Sequence, residues 1–197
     1  MKVFFVTDTM HPGGSERVIS VLANHFAQRG INTTILCYRR NESFYEIDEK
    51  VSVCYLEKET NGASLLKRGK WLRSYCIREC PDVVIPFMTA VYCLTLFSLL
   101  GSGIPVICSE RIDPRTTSVK RKALRALLLP FARHLVVQTE SIKSYYGKTI
   151  QKKCSVIYNP VDPSFFLDAP NVYLKRIINV GRLSPQKNQK LLIDAFS

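Results

Sequence analysis

Two short segments of the sequence combine glycine with charged side chains, as loops that bind phosphates and sugars do. Residues 11–17 read HPGGSER and residues 181–187 read GRLSPQK. Adjacent glycines let the backbone approach a ligand, and a helix that starts beside them offers unpaired N–H groups with a partial positive charge. A tight turn between a strand and a helix would use the same residues. In the first segment, Gly13, Gly14 and Glu16 are candidate contacts to a phosphate or a sugar hydroxyl.

The second segment places two cations, Arg182 and Lys187, around the start of a predicted helix. Such a pair of cations suits a ligand with concentrated negative charge, for example a phosphate or a diphosphate. Two cations and the helix dipole can neutralise that charge, and no metal ion is then needed. We therefore expect no metal and no other cofactor. The alternative is a helix start whose charged side chains are simply solvated.

The glycine loop differs from the dinucleotide-binding fingerprint, which has a third glycine at GxGxxG spacing. The second predicted strand also ends in residues 37–40 (CYRR), where no acidic residue is available to bind a ribose. Both features disfavour a nicotinamide-dependent dehydrogenase, and the first also disfavours a nucleotide-sugar epimerase.

Polar side chains follow two later strands of the predicted sheet. Glu110 and Arg111 come after one strand, and Gln138 and Thr139 come after the next. Because the carboxyl ends of parallel strands share one edge of the sheet, these four residues are candidates for the acceptor side of a cleft. Two alternatives stay open: an ion pair at the sheet edge for Glu110, and a helix N-cap for Thr139.

The strong positive charge indicates a polyanionic partner. The 197 residues carry a formal net charge of +12. Residues 115–133 contain no acid, and their cations Lys120, Arg121, Lys122 and Arg125 stand among leucines. Residues 64–78 have a similar pattern. Basic amphipathic helices bind anionic lipid surfaces, although each could also be a packed helix with one wet basic face.

Strands and helices alternate along the chain. Strands are predicted at 2–7, 33–38, 51–56, 83–87, 105–109, 134–138 and 155–158, and helices, among them 64–79 and 118–129, lie between them. Residues 83–109 contain no charge and are long enough to span a bilayer, but prolines and the turn at 101–105 divide them into strand, helix and strand. The pattern predicts an α/β fold with a doubly wound parallel sheet.

The domain organisation is predicted from a change in residue composition after residue 158. Residues 159–170 are rich in turn formers, and a new strand at 176–180 and a helix from Pro185 follow, with Ser184 as N-cap. We predict a complete domain at 1–163, and at 164–197 a linker with the first strand and helix of an incomplete domain. The seven scattered cysteines fit free thiols better than disulfides or a zinc site.

Several segments, in order, resemble family 4 glycosyltransferases of the GT-B fold. They are the first strand with GGSER, then VVQTESIKSYYG, VIYNPVD and NVGRLSPQKNQKLLIDAF, and together they cover essentially the whole chain. The GRL segment with its later lysine is the most specific. In the family its two cations hold the diphosphate of a nucleotide-sugar, which maps onto Arg182 and Lys187 here. Many members carry an acceptor-side histidine where this chain has Glu110 or Arg111, so no histidine role is carried over.

The resemblance implies a retaining hexosyltransferase in cell-surface polysaccharide synthesis. Its donor would be a nucleotide-diphosphate sugar, UDP-linked, and its acceptor a polyprenyl-diphosphate-linked saccharide. It would be a cytoplasmic protein at the inner face of the cell membrane, with no nucleic-acid partner. The family's paired glutamates would lie beyond Ser197, so the isolated chain is expected to be inactive. The alternative is a non-enzymatic module that binds a membrane or another polyanion.

Overall fold

The computed structural model of the protein describes residues 1–39, 43–56, 64–161, 177–181, 183 and 187–196. The described chain forms two compact units, Met1–Pro160 and Val161–Ser197. The strands of the first unit are β1 Lys2–Thr7, β2 Asn32–Cys37, β3 Ser52–Tyr55, β4 Val83–Pro86, β5 Ile107–Ser109, β6 His134–Val137 and β7 Cys154–Val156. Its helices are α1 Gly14–Gln28, α2 Leu65–Glu79, α3 Thr89–Leu99, α4 Val119–Leu128, α5 Glu140–Tyr145 and α6 Lys148–Gln151, with 3-10 turns at Pro114–Thr116 and Leu129–Phe131.

All paired strands run parallel, as the sequence pattern predicts. One sheet has the order β3-β2-β1-β4 and the other β5-β6-β7. Two isolated parallel bridges, Val84 with Val106 and Phe87 with Ser109, connect β4 to the β5 region. The strand order thus reverses direction between β1 and β4. In a doubly wound sheet this switch point is where ligands bind, beyond the carboxyl ends of the strands.

The two faces of β1 bury different hydrophobic clusters. Val3 and Phe5 pack with α1, whereas Phe4 and Val6 pack with residues of α2, α3 and α4. Successive side chains of a strand point to opposite faces, so α1 covers one face of the sheet and the other helices cover the opposite one. This is why residues 3–6 of β1 are all apolar and do not alternate with polar residues.

The helix ends follow from local chemistry. The Ser64 hydroxyl accepts a hydrogen bond from the Lys67 backbone N–H and caps the start of α2. At its other end, Cys80 adopts a left-handed conformation with φ of 47°, and Pro81 prevents continuation. These ends agree with the predicted helix at 64–79.

The second unit differs from the sequence prediction in two details. Of the strand expected at 176–180, residues 177–180 are described and form no strand, because none pairs with them in the part of the chain that the structure describes. Its helix, α7, spans Gln189–Phe196, so Lys187 precedes the helix instead of lying in its first turn. Ser184 and Pro185 lie outside the described residues. That this unit is the start of a nucleotide-sugar-binding domain stays a prediction.

Candidate functional site

A recess with charged and hydroxyl groups set among apolar side chains, the polar recess, lies beyond the carboxyl ends of β1, β2 and β4, at the switch point of the sheet. Its volume is about 280 Å³. Its polar lining comes from Asp8 after β1, Arg68 on α2, Thr89 at the start of α3, Thr117, and Arg121 on α4. It therefore presents a carboxylate and two guanidinium groups to one ligand, a set that suits a saccharide joined to an anionic group. The Thr89 hydroxyl donates to Glu110 and the Thr117 hydroxyl to the Pro114 carbonyl oxygen, so towards a ligand both can act only as acceptors.

The recess contains charged residues that lie outside the sequence motifs described above. Asp8 forms an ion pair with Arg39, and its carboxylate lies 4.0 Å from the guanidinium of Arg68. Arg68 also lies over the ring of Tyr38, with its central carbon 5.9 Å from the ring centroid. Asp8 could have been found from the sequence, since it directly follows the first buried strand at the functional edge of the sheet.

The backbone at Met88, where β4 gives way to α3, has a conformation unusual for a side chain other than glycine. Its φ is 71° and its ψ is 147°. The surrounding contacts hold it there: its N–H donates to the carbonyl oxygen of Ser109 at 3.0 Å, and the Ser15 hydroxyl lies 3.6 Å from its sulfur. Such strain costs about 1–3 kcal/mol and clusters at functional sites. Met88 lines the recess, so the strained residue and the site coincide.

The predicted glycine loop forms the start of α1. Gly13 is the N-cap and its carbonyl oxygen accepts a hydrogen bond from the Tyr45 hydroxyl at 3.0 Å. The carboxylate of Glu16 folds back over Gly13, where a Cβ would collide with it. It also accepts a hydrogen bond from Ser15 at 2.8 Å. The helix start thus carries an acid of its own, which favours hydroxyl groups over phosphates as ligands. Ligand contact by Gly13, Gly14 and Glu16 stays a prediction.

Glu110 and Arg125 form a fully buried ion pair. The two side chains are 0% and 2% exposed, and Arg125 Nη1 lies 3.3 Å from Glu110 Oε2. Glu110 also accepts hydrogen bonds from the hydroxyls of Thr89 at 2.8 Å, Tyr92 at 2.6 Å and Tyr146 at 3.3 Å. Burial and the adjacent carboxylate raise the pKa of both tyrosines above the ordinary range, so they stay protonated as donors.

This pair corrects one predicted role. Arg125 was expected on the membrane-facing side of a basic helix, and that is wrong because its guanidinium is buried against Glu110, the Pro114 carbonyl oxygen and the hydroxyls of Thr117 and Tyr145. For Glu110, the structure shows the ion pair, one of the two roles left open. A direct acceptor contact by Glu110 is disfavoured because its carboxylate has no exposed surface.

The other basic residues of α4 are not buried as Arg125 is. Lys120 and Arg121 are exposed and Lys122 is half-buried. Val119 and Leu127 on the same helix are also exposed, at 80% and 67%. A face with both cations and apolar side chains is what an anionic lipid surface recognises. Membrane contact by Lys120, Arg121 and Lys122 stays a prediction.

Arg111 and Gln138 meet at Asn159, at the carboxyl edge of β5, β6 and β7. The side-chain oxygen of Asn159 accepts hydrogen bonds from Arg111 Nη1 and Gln138 Nε2, each at 2.7 Å. Arg111 also donates to Ser109 at 2.9 Å and lies over the ring of Phe87. Burial lowers the pKa of Arg111 to about 10, which leaves it charged at neutral pH. The sequence predicted Arg111 and Gln138 on one edge, and the structure brings them together.

Thr139 caps the start of α5: its hydroxyl accepts a hydrogen bond from the Ile142 N–H at 3.1 Å. The structure thus shows the N-cap, and an additional acceptor contact by Thr139 stays a prediction.

Of the two predicted diphosphate-binding residues, Lys187 is exposed, and its side chain packs near Gly181, with Cγ 3.7 Å from the ideal Cβ position of that glycine. Arg182 lies outside the described residues.

Among the residues that the structure describes, no cluster of three or more His, Cys, Asp or Glu side chains could hold a metal ion. None of the described helices has the length and hydropathy that crossing a bilayer requires.

Two curated proteins resemble this chain. An N-acetyl-D-galactosaminyltransferase of Campylobacter jejuni, named for a GalNAc-containing diNAcBac-PP-undecaprenol, is 27% identical over 206 residues, which cover 100% of this chain and 57% of the relative. The amylovoran biosynthesis glycosyltransferase AmsD of Erwinia amylovora is 25% identical, over 93% of this chain and 54% of the relative. The chain therefore spans about half the length of these relatives.

Solved structures share the fold. HepE of Anabaena, in complex with UDP and glucose, matches with a TM-score of 0.69 at 17% identity, over 100% of this chain and 57% of HepE. The lipopolysaccharide outer core galactosyltransferase WaaB matches with a TM-score of 0.61 at 18% identity, over 82% of this chain and 46% of WaaB. The α/β fold with parallel sheets, predicted as that of GT-B glycosyltransferases, is thus confirmed.

The family model described as Glycosyltransferase Family 4 matches residues 12–165. This match spans Gly13, Gly14 and Glu16, the buried ion pair, the Arg111–Gln138–Asn159 cluster and the recess lining apart from Asp8. Because it covers most of the chain, the protein belongs to Glycosyltransferase Family 4.

Proposed function

We propose that the protein provides the acceptor-binding side of a retaining glycosyltransferase. The enzyme moves a hexose from a UDP-sugar to a polyprenyl-diphosphate-linked saccharide at the inner face of the cell membrane, in cell-surface polysaccharide synthesis. The observation that carries this proposal is the recess at the switch point, where Asp8 and two threonine hydroxyls lie beside the cations Arg68 and Arg121. Hydroxyls and a carboxylate suit sugar hydroxyl groups, and guanidinium groups suit a diphosphate.

The relatives support both substrate classes. The Campylobacter jejuni relative is named for an acceptor that contains PP-undecaprenol. HepE is described with UDP and glucose bound. We assign Arg182 and Lys187 to the donor diphosphate, and Arg111, Gln138 and Asn159 to the part of the acceptor side beyond β5 to β7. No metal ion is required, because cations neutralise the charge of the leaving group.

Binding of the acceptor to the 197-residue chain tests the proposal. Calorimetric titrations, with EDTA present, would compare farnesyl diphosphate with a panel of farnesyl-diphosphate-linked saccharides. We expect at least one saccharide to bind more tightly than farnesyl diphosphate alone, since the recess contacts its hydroxyl groups. Asp8→Asn should remove that gain. The matched control is Glu49→Gln, an exposed carboxylate before β3, at the opposite edge of the sheet.

Two outcomes would count against the proposal. In the first, no saccharide of the panel raises the affinity above that of farnesyl diphosphate. In the second, a saccharide raises the affinity but Asp8→Asn does not remove the gain. Binding that is equally strong with RNA or with inorganic polyphosphate would instead support the polyanion-binding alternative.

A further inference from the structure

An apolar groove of about 700 Å³ lies between α2, α3 and α4, on the face of the sheet opposite α1. Its size falls within the range of sites for small molecules. Its walls are largely carbon, from Leu65, Leu66, Leu94, Phe97, Leu124 and Leu128.

The groove leaves large apolar side chains open to solvent. Leu65 is 67% exposed, Leu66 68%, Phe97 56% and Leu124 45%. Single exposed apolar residues are common on proteins, but a contiguous group of them around a cavity marks a binding surface.

Three small residues, Gly69, Ala90 and Cys93, line the groove between α2 and α3. Gly69 on α2 is buried, and a Cβ at this position would lie 2.8 Å from the Ser98 hydroxyl oxygen of α3. Glycine therefore allows α2 and α3 to approach closely. This close packing of α2 and α3 forms one side of the groove.

The cations around the groove have two different roles. Arg73 Nη1 donates to the carbonyl oxygens of Ser98 and Leu100, at 2.8 Å each, and so completes the C-terminal end of α3. Lys70 and Arg121 are exposed and lie at the rim. These two can meet an anionic group at one end of an apolar ligand.

The groove continues into the polar recess of the candidate site. Both cavities are lined by Leu65, Thr89, Ala90, Leu94 and Arg121. A ligand that follows this path meets carbon first, then the guanidinium of Arg121, then the hydroxyls and carboxylate of the recess. This order matches an amphiphile with a hydrocarbon chain, an anionic link and a sugar head.

We infer that the groove binds the hydrocarbon chain of the lipid-linked acceptor, with the anionic link at Arg121 and the saccharide in the recess. The inference rests on the proposed function for the identity of the head group. The hydrocarbon chain then lies in the protein, between α2 and α4, and not wholly in the bilayer. A second copy of the protein is a poorer occupant, because copies that each carry a net charge of +12 repel one another.

Titration of the 197-residue chain with geranylgeranyl diphosphate, below the concentration at which it aggregates, tests the groove. Inorganic diphosphate is the control ligand, because it lacks a hydrocarbon chain. We expect one geranylgeranyl diphosphate per protein and an affinity at least about tenfold above that for inorganic diphosphate. Leu124→Gln should weaken chain binding about tenfold, since a polar amide replaces carbon in the groove.

Matched controls come from the same helices. Leu127 is 67% exposed on α4 but does not line the groove, so Leu127→Gln should bind as the parent does. On α2, Leu66→Gln should weaken binding, whereas Ile77→Gln, at a position 50% exposed and outside the groove, should not. Circular dichroism establishes that each variant is folded.

Equal affinities for geranylgeranyl diphosphate and inorganic diphosphate would overturn the inference. Equal losses of affinity in the Leu124 and Leu127 variants would also overturn it, because they would indicate non-specific binding to the surface. Protein dimerisation that Leu124→Gln abolishes, without chain binding, would assign the groove to a second copy. The two proposals fail separately. If the hydrocarbon chain binds but an attached saccharide has no effect on affinity, the groove proposal holds and the proposed function is wrong. If a saccharide raises the affinity but Leu124→Gln has no effect, the proposed function holds and the groove proposal is wrong.

Discussion

At the scale of single residues, the buried pair of Glu110 and Arg125 joins the end of β5 to α4 and α5. The carboxylate of Glu110 collects donors from Thr89, Tyr92 and Tyr146 as well as from Arg125. A buried charge that loses its counterion keeps its full cost of desolvation. The pair therefore fixes the position of α4, whose Arg121 borders the recess.

We predict that Arg125→Met lowers the free energy of unfolding by about 3–5 kcal/mol, because Glu110 stays buried without its counterion. Urea denaturation measures the change. Arg121→Met, at an exposed position on the same helix, should change stability by no more than about 0.5 kcal/mol. Equal stabilities of the two variants would show that the buried pair does not support the fold.

The same pair shows where sequence reasoning stops. Glutamate and arginine are found mainly on protein surfaces. The charge pattern alone therefore grouped Arg125 with its exposed neighbours. A signal did exist: Arg125 precedes the buried Leu128 and Leu129 by three and four residues, which puts it on the inner face of the helix. The partner of a buried cation, however, follows only from the tertiary fold.

The cysteines give a second prediction at this scale. All seven are free, and Cys80 is the exposed one among them. Burial raises the pKa of Cys37, Cys76 and Cys93 to about 12, so these thiols stay protonated and unreactive at about pH 8. Iodoacetamide labelling mapped by mass spectrometry should find Cys80 modified first, and Cys80→Ser should remove the fast phase. Fast labelling of Cys76 instead would contradict the packing of α2.

At the scale of elements, α4 has two faces with different tasks. Arg125 and Leu128 face inward, whereas Lys120, Arg121 and Leu127 face solvent. The sequence predicted the helix and its basic character closely, since its bounds of Val119–Leu128 lie within the expected residues 118–129. It could not assign each cation to a face, because the neighbouring helices decide that.

We predict that the protein binds vesicles containing phosphatidylserine and not vesicles of neutral lipid, and that binding weakens as salt screens the charges. Replacing Lys120, Arg121 and Lys122 by Gln should remove most of the binding, since each cation contributes about 1 kcal/mol near an anionic surface. Co-sedimentation with vesicles measures this effect.

The matched control for the vesicle experiment replaces Lys50, Lys148 and Lys152, three exposed lysines elsewhere in the first unit, and removes the same total charge. If this variant loses as much binding as the α4 variant, net charge attracts the membrane and α4 has no special role.

At the scale of the whole molecule, parallel strands and crossover helices could be predicted because short β-rich runs alternate with helical stretches along the sequence. The strand expected at 176–180 is not formed by its described residues, 177–180, because a strand is stabilised by its neighbours in the sheet, which local sequence cannot supply. The recess and the groove were also not predicted. Their residues come from distant positions, such as Asp8, Arg68 and Arg121, which the fold alone brings together.

The donor side carries a prediction at this scale. In the chain extended by a nucleotide-sugar-binding domain of about 150 residues, Arg182→Ala and Lys187→Ala should each reduce turnover about 100-fold or more. Each change removes a charge that stabilises the departing diphosphate. Lys190→Ala, an exposed lysine on α7, is the control and should leave turnover unchanged. Full activity of the Arg182 variant would mean that the diphosphate binds elsewhere.

The most direct test of the central claim is sugar transfer itself. The measurement is the transfer of radiolabel from a panel of UDP-sugars to an undecaprenyl-diphosphate-linked saccharide, with EDTA present, by the extended protein and by the 197-residue chain. We predict transfer by the extended protein without added metal, loss of transfer in its Arg182 variant, and none by the 197-residue chain alone. Failure of every donor and acceptor with a folded extended protein, or transfer by the 197-residue chain on its own, would contradict the account.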